Sequence, residues 1–145
     1  MENSKVTIVR ESSQGKYAQE INTGNHTLVA DEPTALGGND AGPSPYEFLL
    51  AALGACTSIT LRMYAEHKFI PLRNIVVKLT HDKIHVKDCA SCDDDNSKID
   101  RIERKIELQG ELDDEQRQRL LAIANKCPVH RTLASTILIN TSLTD

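Results

Sequence analysis

The sequence predicts an α+β fold, and three observations carry that prediction. The first thirty residues read as short strands separated by turns bearing Gly and Asn. The stretch from 46 to 68 is apolar on every face over its first half. Two later segments alternate apolar and charged residues with the two-residue period of a half-solvated antiparallel strand. Strands grouped apart from helices point to α+β rather than alternating α/β units.

The 145 residues suffice for one domain with its own core. Only 3% of residues are aromatic against 39% apolar, so Leu, Ile, Val and Ala must fill that core. The net charge of −4 argues against nucleic acid or an anionic membrane as partner. The opening "MENSKVTIVR" lacks the charged start, apolar stretch and cleavage site of a signal peptide. The longest uncharged run, Phe48 to Leu61, is shorter than the roughly 20 residues a membrane span needs. The expectation is a soluble, cytoplasmic chain. There, four cysteines are more often thiols, redox groups or metal ligands than permanent crosslinks.

The elements follow in order. Residues 1–31 form a meander, with strands at 5–11, 16–22 and 26–31. Residues 32–45 form a loop with three glycines and three prolines, long for an idle connection. A central helix runs over 46–68. Ser44, Pro45 and Glu47 supply its N-cap, first and third positions, a capping box with proline where its missing N–H does no harm. No face is polar from Phe48 to Cys56, so the helix is expected to be buried all round. A hairpin occupies 74–110. One strand places Ile75, Val77 and Leu79 on a single face, and the other does the same with Ile102, Ile106 and Leu108. The connection carries Cys89 and Cys92. Residues 113–143 then give a helix with Leu120, Ala124 and Cys127 on one face, a new helical turn after Pro128, and a final strand over 136–143.

Three features bear chemistry. Cys56 sits among Ala51, Ala52, Gly54 and Ala55, a lean surface that lets backbone, a ligand or a second copy of the chain approach. The plain alternative is a small apolar filler, since free cysteine is among the most buried residue types. Cys127 precedes Pro128. If Pro128 opens a helix, Cys127 is its N-cap, in a positive environment that lowers a thiol pKa, with His130 and Arg131 one turn along. The alternative is a cysteine that closes the preceding helix. Cys89-Ala-Ser-Cys92, near His81 and His85, invites zinc. Two histidines four residues apart in one strand stand about 13 Å apart and cannot share a metal. A zinc completed by distant residues, a loop disulfide and two ordinary thiols all stay open; the expectation is no metal and no bound cofactor.

"SPYEFLLAALGACTS" followed much later by "NKCPVHRTL" resembles the OsmC/Ohr family of osmotically inducible and organic hydroperoxide resistance proteins. The resemblance covers most of the chain and is nearest the OsmC-like subgroup. It implies an intertwined homodimer, with antiparallel sheets wrapped around two long central helices and an active site at each interface. It implies reduction of organic hydroperoxides and hydrogen peroxide. Cys56 then matches the thiolate that becomes a sulfenic acid, and Cys127 the thiol that closes a disulfide for an external dithiol to reduce. Family peroxidases carry a glutamate ten residues before the reactive cysteine, paired with an activating arginine. That position is Tyr46 here, with Glu47 one residue on, turned by about 100° on a helix. The catalytic set implied is Cys56, Cys127 and Glu47, with Tyr46, His130 and Arg131 binding. Loop 32–45 holds no arginine, which leaves Arg10, Arg62 or Arg131 for the activating role. The alternative on the same scaffold is a non-enzymatic redox sensor or small-molecule-binding protein.

Overall fold

The computed structural model describes residues 5–85 and 98–144. The chain, read from its sequence as one domain, divides into two compact units, Met1–Leu49 and Leu50–Asp145. Each holds its own hydrogen-bonded sheet. Cys89 and Cys92, and with them the zinc expectation, lie outside the described residues.

The first unit is the expected meander. Strands β1 (Thr7–Glu11), β2 (Gln19–Thr23) and β3 (His26–Ala30) pair antiparallel in chain order. Thr23 pairs with His26, leaving Gly24 and Asn25 as a two-residue turn in which Gly24 takes a φ of 57°. The loop that follows is organised by Asp31, which is buried. One carboxylate oxygen accepts the N–H of Glu32 at 2.7 Å, and the other accepts those of Asn39 at 3.2 Å and Ala41 at 3.1 Å. A long glycine-rich loop is thus held in one conformation by a single side chain.

Helix α1 (Pro45–His67) begins within one residue of its expected start. Its capping box is complete: the Ser44 N–H donates to Glu47 Oε1 at 3.0 Å, and the Glu47 N–H donates to Ser44 Oγ at 3.3 Å. At 23 residues it is, by length and composition, apolar enough to cross a membrane, although its longest uncharged run is shorter. Its buried side chains belong to a protein core. In the second unit Leu61 and Ala65 pack with Leu72, Leu120 and Ala124, flanked by Ile75, Ile106 and Leu108.

The sheet of that unit is the expected hairpin. Strand β4 (Leu72–His85) pairs antiparallel with β5 (Lys98–Gly110), with Leu79 opposite Arg104. Gly54 lets β4 come close to α1, because a Cβ there would stand 2.8 Å from a Leu79 methyl. Helix α2 (Asp114–Ala124) is capped by Asp113 and Gln116 in a second capping box. Helix α3 (Pro128–Leu133) begins at once, with Cys127 as its N-cap.

Two expectations are corrected. Within the chain α1 is not buried all round: Leu53, Gly54, Thr57, Leu61 and Ala65 are buried, while Ala52, Ala55, Ile59 and Met63 are exposed. One hairpin and a short helix offer enough apolar surface for only one side of it. Residues 136–144 form no strand, and Ile137, Leu138 and Ile139 are exposed. A strand requires a paired edge, and among the described residues none pairs with this segment.

Candidate functional site

Four elements meet at the two thiols. Helix α1 supplies Cys56 and Thr57, β5 supplies Arg104, Asn125 caps the C-terminal end of α2, and Cys127 and His130 open α3. Cys56 is half-buried and Cys127 fully buried; both are free thiols. Cys56 is close enough to Cys127 to be among the groups that lower its pKa.

The sequence dictates each placement. Pro128 has a fixed φ and no N–H, so it starts α3 and leaves Cys127 in extended backbone as the cap. Cys127 Sγ accordingly accepts the His130 N–H at 3.3 Å. Thr57, fully buried, faces the sulfur from α1 with its Oγ1 3.8 Å away. That hydroxyl has one hydrogen, which serves either the Leu53 carbonyl at 2.7 Å or the sulfur.

Arg104 ties these elements together. Its Nη1 donates to Thr57 Oγ1 at 3.0 Å. Its Nη2 donates to Asn125 Oδ1 at 2.9 Å and to His130 Nδ1 at 3.0 Å. A guanidinium only donates, so His130 Nδ1 is the unprotonated acceptor and the imidazole is neutral. Burial and the Arg104 charge both hold His130 below its ordinary pKa. Among the described residues no carboxylate pairs with Arg104. The groups here able to carry the opposing charge are the thiols. Burial pushes the Cys127 thiol up, but the His130 N–H, the Thr57 and Cys56 hydrogen bonds and the Arg104 charge outweigh it. The net shift is downward.

The other residues singled out from the sequence are not among these hydrogen-bond partners. Glu47 is spent on the α1 cap, where Ser44 lowers its pKa. Tyr46 is exposed beside it at the start of α1, and both belong to the first unit. Arg131 is exposed, and its side chain makes no hydrogen bond or ion pair among the described residues. The positive charge expected from His130 and Arg131 comes from Arg104 instead. Of the arginines considered, Arg10 is exposed on β1. Arg62 donates to the backbone carbonyls of Leu72 at 2.6 Å and Arg73 at 3.3 Å, which fastens the link from α1 to β4.

Sequence reasoning missed Arg104, Thr57 and Asn125. The signal for Arg104 was present: it falls in phase with Ile102, Ile106 and Leu108, a cation on the inward face of β5. His81 Nε2 meets Asp100 Oδ1 at 2.8 Å across the hairpin. Among the described residues no three His, Cys, Asp or Glu side chains gather as a metal site.

Comparison with known proteins identifies the family and the fold. A family model described as OsmC-like protein matches residues 37–142. The OsmC-like protein of Mycoplasma pneumoniae superposes with a TM-score of 0.70 at 17% identity, over 92% of this chain and 89% of that one. The organic hydroperoxide resistance protein OhrB of Bacillus subtilis gives 0.61 at 18% identity, over 91% of each chain. An organic hydroperoxide resistance protein of Elizabethkingia anophelis gives 0.67 at 16% identity, over 92% and 90%. At these identities the structures establish the fold. No curated protein matches the chain.

Proposed function

Because the chain belongs to the OsmC-like protein family, we propose that it is a thiol-dependent peroxidase that reduces organic hydroperoxides and related peroxides. The observation that carries this reading is a pair of neighbouring free thiols, Cys56 and Cys127, beside Arg104, which has no carboxylate partner among the described residues. Cys56, the more exposed thiol, attacks the peroxide and becomes a sulfenic acid. Cys127 then closes a disulfide, which an external dithiol reduces. Arg104 is a positioning residue: it fixes Thr57, Asn125 and His130 around Cys127 and supplies the positive field.

The assembly proposed is a homodimer. Ala52, Ala55, Ile59 and Met63 recur at helical spacing on the exposed side of α1, and a second copy would bury them. The dithiol reductant places the reaction in a reducing compartment such as the cytoplasm.

The test is consumption of cumene hydroperoxide by the reduced protein with excess dithiol. Turnover lost in Cys56→Ser supports the assignment, and turnover at the wild-type rate in that variant removes it. A non-enzymatic redox sensor is the second reading. It is favoured by the commitment of Glu47 to a helix cap and by Arg104 having no carboxylate partner among the described residues. Stoichiometric formation of a Cys56–Cys127 disulfide without turnover would select it.

A further inference from the structure

Among the described residues the site has a cation, Arg104, but no carboxylate, so the proton of Cys56 needs another acceptor. Cys56 is the thiol a peroxide reaches, being half-buried, whereas Cys127 is fully buried and cannot meet substrate first. Cys127 receives the backbone N–H of His130 and faces the hydroxyl of Thr57, whose own position is set by Arg104. The titratable and charged groups facing it are Cys56 on α1, Arg104 on β5 and His130 on its own helix. Arg104 is the sole fixed charge among these three, and His130 is neutral. Negative charge is therefore better accommodated on Cys127 than protonation would suggest from its burial alone.

We propose that Cys127 is the general base of the reaction, taking the proton of Cys56 and later returning it, before it acts as the resolving thiol. The inference rests on the peroxidase reading above. In the resting dithiol one proton is shared, with Cys56 as thiol and Cys127 as thiolate. The proton passes from Cys56 to Cys127, and the Cys56 thiolate attacks the outer peroxide oxygen. The S–O bond forms as the O–O bond breaks, and the departing alkoxide takes the proton from Cys127. The restored Cys127 thiolate attacks the sulfenic sulfur, the S–S bond forms, and the hydroxide that leaves becomes water by taking up the proton that Cys127 had released to solvent in forming the resting thiolate. Two thiols are oxidised to a disulfide and one hydroperoxide is reduced to an alcohol and water.

This role predicts a result that a purely resolving thiol does not. The experiment compares full-length wild type with Cys127→Ser, a change that retains a good N-cap. Sulfenic acid formation at Cys56 on mixing with cumene hydroperoxide is followed across pH. Loss of the base should slow this first step by about 10-fold or more at neutral pH. The deficit should narrow as pH rises, because hydroxide in solution can then take the proton that Cys127 otherwise accepts. Equal rates in both proteins at every pH would overturn the proposal. Alkylation of Cys56 by iodoacetamide, mapped by mass spectrometry, reads the same proton transfer without peroxide. Slower Cys56 alkylation in Cys127→Ser at neutral pH supports the base role even if wild type proves inert toward peroxides, which would remove the peroxidase reading alone. Unchanged or faster alkylation overturns the base role, whatever the peroxide result.

Discussion

At the residue scale the site is organised by one guanidinium. Arg104 bonds three neutral partners on three elements, a use of its fork that lysine's single ammonium cannot reproduce. Arg104→Met should slow Cys56 oxidation about 10-fold or more at neutral pH, and Arg104→Lys should fall between it and wild type. Stopped-flow kinetics with a saturating peroxide, set beside melting temperatures, separates this from simple loss of stability. His130 makes a second prediction. It accepts from Arg104 in its neutral form, and its pKa is held below the ordinary 6.5. The unfolded chain therefore binds this proton more readily than the folded one. The stability tied to the contact is present above pH 6.5 and is lost as pH falls through the lowered folded value. His130→Gln keeps an acceptor and does not titrate, so its thermal stability should fall less between pH 7 and pH 5 (approximate bounds around the ordinary histidine value).

At the element scale, glycine and capping residues decide the geometry. Gly54 in mid-helix costs about 1 kcal/mol against alanine, and the cost is tolerated because Leu79 of β4 lies against it. Gly54→Ala should change stability by less than about 1 kcal/mol, because the helix gain offsets a shift of one flexible methyl. Gly54→Leu should destabilise by about 1–3 kcal/mol, read by urea denaturation. The caps were legible in sequence: Ser44–Glu47 at α1, the start of α2 at Asp113 and Asp114, and Cys127 before Pro128 all follow from local rules. Asp113→Ala should cost about 1 kcal/mol, with Asp114→Ala as the milder control. Arg104 was harder to see, because one cation in an alternating strand reads as a solvated residue until its face is known. Glu47 was legible as a capping residue from the Ser44–Glu47 spacing, and the structure places its carboxylate in that cap.

At the scale of the whole molecule, the exposed apolar side of α1 and the unpaired segment 136–144 are unsatisfied in a single chain. Ile59→Lys, on the exposed side and away from the core, should leave the circular dichroism of the monomer intact. It should shift the sedimentation coefficient from dimer to monomer at micromolar concentration. A wild type that sediments as a monomer there would remove the homodimer. By itself the sequence determined the α+β class, the meander, the hairpin, both long helices and the two thiols, because periodicity, caps and prolines act over a few residues. Only the tertiary structure decided which arginine stands beside Cys127, that His130 is neutral and that Glu47 is spent on a cap. Those are contacts between groups far apart in the chain, and only the folded geometry chooses a partner among several residues of equal chemistry.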